Sequence, residues 1–66
     1  MKNTIRIQRA IKNITQAELA ELISVSRQTI NTIESGKYVP STVLALKMAK
    51  VFQVPLEQIF ELEEED

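Results

Sequence analysis

The chain has 66 residues, enough for one domain and few enough that its buried surface sits near the lower limit for independent folding. It has no cysteine and no histidine, which excludes a disulfide framework, thiolate metal sites, the usual zinc ligand and the usual general base at neutral pH. The net charge of −1 conceals an asymmetry: residues 1–50 set eight basic residues against Glu18, Glu21 and Glu34, a net of +5, whereas residues 51–66 carry six acids and no base, a net of −6.

No apolar run approaches the roughly 18 residues of a membrane span. The polar start Met1-Lys2-Asn3-Thr4 lacks the apolar core of a signal peptide. A cytoplasmic location with no membrane contact is expected. Gly36, Pro40 and Pro55 are the only glycine and prolines, and they fall between apolar-periodic stretches, as short helices require.

The expected fold class is all-α, with five helices. The first runs from about Thr4 to Lys12, with Ile5 and Arg9 on one side and Ile14 opening the connection. Thr15 is placed as an N-cap, and Glu18 three residues on completes a capping box. The second helix covers Gln16 to Ile23 and turns Leu19, Ala20 and Ile23 toward the core. After a tight break at Ser24-Val25, Ser26 caps a third helix. It ends at Ser35, with Gly36 as its left-handed C′ residue, and buries Ile30 and Ile33 together with Val25. Ser41 caps a fourth helix, Thr42 to Phe52, whose core stripe is Leu44, Ala45, Met48, Ala49 and Phe52. Pro55 suits the first turn of a short fifth helix through about Phe60. The one candidate for strand pairing is a small ribbon between Asn3 and Glu61–Glu63.

The outward residues of the third helix carry the chemical signal. Ser26, Arg27, Gln28, Thr29, Asn31 and Thr32 are polar and, apart from Arg27, uncharged. An ordinary solvated face would carry Glu and Lys in i, i+4 pairs, which are good helix formers, whereas Thr and Asn are weaker formers and, like Gln, hydrogen-bond to base edges. The major groove of double-stranded DNA admits one α-helix, and side chains near its entering N-terminus reach the bases. Gln28 can grip adenine N6 and N7 together, and Arg27 can grip guanine O6 and N7 or a phosphate. Gln16, opening the second helix, can hold a phosphate, and Lys37 and Tyr38 extend that backbone contact.

The run TQAELAELISVSRQTINTIESGK resembles the helix-turn-helix of the phage repressor and Cro-like family, and the likeness continues through KYVPS and VPLEQIF to about residue 60. The spacing of Gln16, Ala20, Val25, Ile30, Gly36 and Pro40 carries it. The resemblance implies a lambda-repressor-like DNA-binding domain over residues 1–60, with the helix-turn-helix at helices 2 and 3 and an acidic tail over 61–66. It implies phosphate contacts from Gln16, Ser26, Asn31 and Lys37, base readout from Arg27, Gln28 and Thr32, and either role for Thr29. It further implies an Arg9–Glu34 ion pair bridging the first and third helices.

Three departures from the family's pattern matter. Ser24 stands where glycine is usual, so a left-handed turn there would strain a serine. Ile7, Ile11 and Leu22 stand where polar residues are common; either the core wraps further round the first two helices or a partner covers them. Gln8 stands where an apolar residue is usual, which favours a first helix rotated so that Ile7 or Ile11 packs instead.

Enzymatic function is not expected, because histidine, cysteine and a Gly-rich phosphate loop are all missing and the clustered carboxylates lie in the tail. No cofactor, metal or small-molecule ligand is expected. The function implied is a transcriptional regulator, a repressor that binds an inverted-repeat operator as a homodimer; the competing class is an antitoxin or protein-interaction adaptor. The expected dimer contact is the Val54, Leu56, Ile59 and Phe60 surface. The tail is either a solvated end or a segment that screens DNA or binds a basic partner.

Overall fold

The computed structural model describes residues 1–66. In chain order the elements are β1 (Lys2–Asn3), α1 (Ile5–Lys12), α2 (Gln16–Leu22), α3 (Arg27–Glu34), α4 (Thr42–Phe52), a 3-10 turn (Leu56–Gln58) and β2 (Phe60–Glu61). Three of the four α-helices begin where a hydroxyl satisfies a free backbone donor. Glu18 N donates to Thr15 Oγ1 at 3.0 Å while Thr15 N donates to Glu18 Oε1 at 2.9 Å, the reciprocal capping box. Thr29 N donates to Ser26 Oγ at 3.1 Å, and Leu44 N to Ser41 Oγ at 3.2 Å. At the start of α1, Asn3 takes this role from outside the helix, its Oδ1 accepting from Ile5 N at 3.2 Å.

The helices surround one core of Ile5, Leu19, Ala20, Ile23, Ile30, Ile33, Met48, Phe52 and Ile59. Val25, Leu44 and Ala49 pack against it half-buried. α3 buries Ile30 and Ile33, and α4 spans the expected residues with Ala45, Met48 and Phe52 buried.

The chain has four α-helices, not five. Between Pro55 and Ile59 the backbone makes only the 3-10 turn. Pro55 sits before that turn in an extended conformation, φ −60° and ψ 149°. The carbonyls that a longer helix would keep for itself are taken by the chain start: Thr4 N donates to Ile59 O at 2.8 Å and Thr4 Oγ1 to Gln58 O at 2.6 Å. Those bonds draw the chain into β2, which pairs antiparallel with β1 in the register Lys2 with Glu61 and Asn3 with Phe60. A ribbon therefore forms, but with Asn3 opposite Phe60 rather than Glu61–Glu63, and it carries Glu61 past the expected tail boundary. The Met1 ammonium reaches Glu63 Oε1 at 3.0 Å and Asp66 Oδ2 at 3.2 Å beyond it.

Two expectations for the first helices are also corrected. Ile7, Ile11 and Leu22 are 59%, 68% and 60% exposed, so the core does not wrap round to reach them. Nor is α1 rotated to bury Ile7 or Ile11 in place of Gln8: its inward face is Ile5, Gln8 and Arg9, at i, i+3 and i+4. Turning Ile7 inward would swing Arg9 away from Glu34, whose side chain is only 3% exposed, and an unpaired buried carboxylate costs more than an exposed isoleucine.

Candidate nucleic-acid interface

The turn between α2 and α3 is built from Ile23 to Ser26. Ile23 is buried, and Val25 N donates back to Ala20 O at 2.9 Å, which pins the half-buried Val25 side chain against the core. Between them Ser24 adopts φ 61°, the left-handed conformation in which a β-carbon is strained. Ile30 and Ile33 then anchor α3, at 0% and 1% exposure, so the opposite side of α3 is turned to solvent from its first residue. At the far end Gly36 adopts φ 80°, with Gly36 N donating to Ile33 O at 3.0 Å and Lys37 N to Thr32 O at 3.2 Å, a Schellman-type stop.

On the solvent side of α3 Arg27, Gln28 and Asn31 are exposed and Thr29 and Thr32 half-buried. The threonine hydroxyls are held locally: Thr29 Oγ1 lies 2.9 Å from Ser26 Oγ, and Thr32 Oγ1 donates to Gln28 O at 2.8 Å. These bonds fix both side chains without extending them. Gln16 Nε2 donates to Asn31 Oδ1 at 3.3 Å, tying the start of α2 to the outward face of α3. Gln16, Arg27, Gln28 and Asn31 line one depression of about 370 Å³. Ser26, Gln28, Thr29, Thr32 and Tyr38 line a second of about 350 Å³. Gln28 belongs to both and stands on the ridge between them.

The structure thus brings together eight of the nine residues singled out for base or phosphate contact. Lys37 is exposed just past α3 and lines neither depression. The suggested dimer residues divide differently. Val54, Leu56 and Phe60 are half-buried and keep accessible surface, but Ile59 is 1% exposed and belongs to the protomer's own core. It contributes roughly 2 kcal/mol there and cannot also serve as contact area.

The scaffold behind this surface is an ion pair. Arg9 Nε donates to Glu34 Oε2 at 2.7 Å and Nη2 to Oε1 at 3.2 Å, while Nη1 donates to Ile14 O at 3.1 Å. It joins α1 to the last residue of α3. Asn3 Nδ2 reinforces that end by donating to Ile33 O at 3.1 Å and Glu34 O at 3.3 Å. Sequence reasoning gave Asn3 no role beyond the ribbon and passed over Arg6. The signal for Arg6 was its i, i+3 spacing from Arg9, which puts it one turn back on the same side of α1.

The helix-turn-helix family model matches residues 5–59, from the first buried residue of the core to the last. The chain belongs to the Cro-like helix-turn-helix family. This helix-turn-helix protein is similar over its full length to an uncharacterised HTH-type transcriptional regulator of Methanocaldococcus jannaschii, at 52% identity with all of both chains covered. It is 47% identical to the uncharacterised HTH-type transcriptional regulator YgzD of Bacillus subtilis, again over all of both chains. An uncharacterised HTH-type transcriptional regulator of Archaeoglobus fulgidus is also 47% identical, with all of this chain and 93% of the relative covered.

Proposed function

We propose that this helix-turn-helix protein is a sequence-specific DNA-binding transcriptional regulator, and that it represses by occupying an inverted-repeat operator as a homodimer. The observation that carries the reading is the outward face of α3. Good base-edge partners converge there on Gln28, among them the weak helix formers Thr29, Asn31 and Thr32, on a helix held from behind by Ile30 and Ile33. Arg27, Gln28, Thr29 and Thr32 read bases; Gln16, Ser26, Asn31, Lys37 and Tyr38 hold phosphates on either side. The names of the relatives support regulation of transcription.

Size argues for the dimer. The eight residues of α3 span about 12 Å, roughly three to four base pairs, too few to specify a site alone. A two-fold pair reading one face of the duplex needs its α3 helices about one turn of DNA, ~34 Å, apart, a spacing of the same order as the 31 Å long dimension of the protomer. Val54, Leu56 and Phe60 supply the contact.

Selection of bound sequences from random duplex DNA at two salt concentrations tests the reading. An enriched inverted repeat and an association constant that falls steeply with salt are expected. Binding without sequence enrichment, or indifferent to salt, overturns it. Sedimentation of Phe60→Asp tests the contact: a folded monomer is expected, and a persistent dimer moves the interface elsewhere.

The exposed Ile7, Ile11 and Leu22 favour a second reading, an antitoxin or adaptor that binds another protein through α1 and α2. Association through that surface would be nearly insensitive to salt.

A further inference from the structure

Between α1 and the start of α2 lies the largest depression of the molecule, about 670 Å³, with Arg6, Arg9, Asn13, Gln16 and Arg27 in its lining. None of its nine lining residues bears a carboxylate. The only acid in reach of these guanidiniums is Glu34, and Arg9 engages both of its oxygens, at 2.7 and 3.2 Å, while its third nitrogen donates to Ile14 O at 3.1 Å. Arg6 approaches Glu34 Oε1 only to 3.9 Å, beyond hydrogen-bond range, and its side chain is 84% exposed. Arg9 and Glu34 therefore cancel, and Arg6 and Arg27 leave two uncompensated positive charges at the rim.

The depression shares Gln16 and Arg27 with the one that contains Gln28 and Asn31. The two form one continuous surface that runs from the outward face of α3 across the start of α2 onto α1. A planar guanidinium presents paired donors that match two oxygens of a phosphate, and it gives up its hydration more readily than an ammonium.

We infer that Arg6, across the cleft from the base-reading Arg27, binds a backbone phosphodiester of the DNA, so that α1 clamps the nucleic acid directly as well as bracing α3. The inference rests on the DNA-binding reading and extends that surface by one phosphate. Arg6 adds affinity without sequence preference, because it meets only the backbone. Its distance from Glu34 leaves it free to turn toward the phosphate without breaking the Arg9 pair.

The test measures the salt dependence of binding to the selected operator and to random duplex for wild type, Arg6→Ala, Arg6→Lys and Lys50→Ala. Lys50→Ala removes the same charge from an exposed position on α4 and controls for the long-range field. Arg6→Ala is expected to weaken both DNAs by the same factor and to lower the slope of log K against log salt by about 0.9. Its deficit should then shrink about 3.5-fold between 50 and 200 mM salt. Arg6→Lys should keep the slope, and Lys50→Ala should leave it unchanged. Replacing chloride with inorganic phosphate at matched ionic strength should preserve the ratio of wild-type to Arg6→Ala affinity. An unchanged slope in Arg6→Ala, an equal drop in Lys50→Ala, or a ratio abolished by inorganic phosphate overturns the inference while leaving DNA binding intact. A wild type with no salt-dependent DNA binding overturns the DNA reading itself, and this inference with it.

Discussion

Arg9 and Glu34, 25 residues apart, meet through two hydrogen bonds that lock the first helix of the fold to the end of the helix that presents Gln28. The Glu34 side chain is 3% exposed and that of Arg9 16%, so the carboxylate has almost no water to fall back on and the guanidinium only a little. Glu34→Ala leaves a guanidinium short of partners in a mostly dry setting. Breaking a buried pair costs about 3–5 kcal/mol, and the partial exposure of Arg9 reduces this to about 2–3 kcal/mol. Urea denaturation should show that loss, and one below about 1 kcal/mol would mean that the pair is dispensable. Replacing both residues with well-packed apolar ones should cost less than the two single losses added together.

The proposed DNA-binding surface should separate two kinds of contact. Gln28→Ala should weaken operator binding by about 1–3 kcal/mol and relax discrimination at one base step. Lys37→Ala should weaken specific and random DNA alike and lower the salt slope by about 1. Titrations of both variants on operator and random duplex check this. Equal losses on the two DNAs for Gln28→Ala would remove it from the base-reading set.

Two left-handed residues flank α3 and should respond in opposite directions. Ser24 at φ 61° is exposed and strained by its own β-carbon, so Ser24→Gly should stabilise by about 0.5–1 kcal/mol after the added chain entropy is counted. Gly36 at φ 80° has open space where a β-carbon would stand, so Gly36→Ala meets no clash and loses only the backbone term, about 1 kcal/mol. Thermal unfolding of the two variants decides it. A destabilised Ser24→Gly would show that the turn is not under strain.

Hydrogen bonds that the Met1 ammonium donates to the carboxylates of Glu63 and Asp66 raise its pKa above the ordinary 8.0. The Glu63 backbone N–H, at 2.7 Å, and then the ammonium hold Asp66 below its ordinary 3.8. The ammonium's contribution to stability is complete below 8.0 and fades as pH rises through its raised folded value. That of Asp66 is complete above 3.8 and fades as pH falls through its lowered one. The clasp between the chain ends should be fully formed between those limits. A proton NMR titration of Met1 in Asp66→Asn should return the ammonium toward 8.0, and an unchanged titration would show that Asp66 is not its partner.

Much of this architecture was written locally. Thr15, Ser26 and Ser41 cap because a hydroxyl three residues before a free N–H can close only onto that donor, and no distant contact is needed to choose it. The stripe of α4 and the inward Ile30 and Ile33 follow from 3.6-residue periodicity alone. The same holds for the outward chemistry of α3, where propensity and exposure disagree within eight residues. Other features depended on partners far along the chain. The segment after Pro55 carries a helical pattern, but Thr4 competes for the carbonyls of Gln58 and Ile59 from more than 50 residues away. Ile59, Ile7 and Ile11 are the same residue type, yet the first is buried and the others face solvent. The orientation of α1 is set by the Arg9–Glu34 pair rather than by its count of isoleucines.

Composition and pattern by themselves determined the helical class, the caps, the left-handed stop at Gly36 and the polar outward face of α3, because each depends on residues within about one helical turn of one another. Only the tertiary structure decided that the fifth helix yields to a ribbon, that Ile59 belongs to the core, and that Arg6 and Arg27 share a cleft. Those outcomes turn on which distant group captures a carbonyl, a cavity or a charge, and that competition is resolved only when the whole chain has packed.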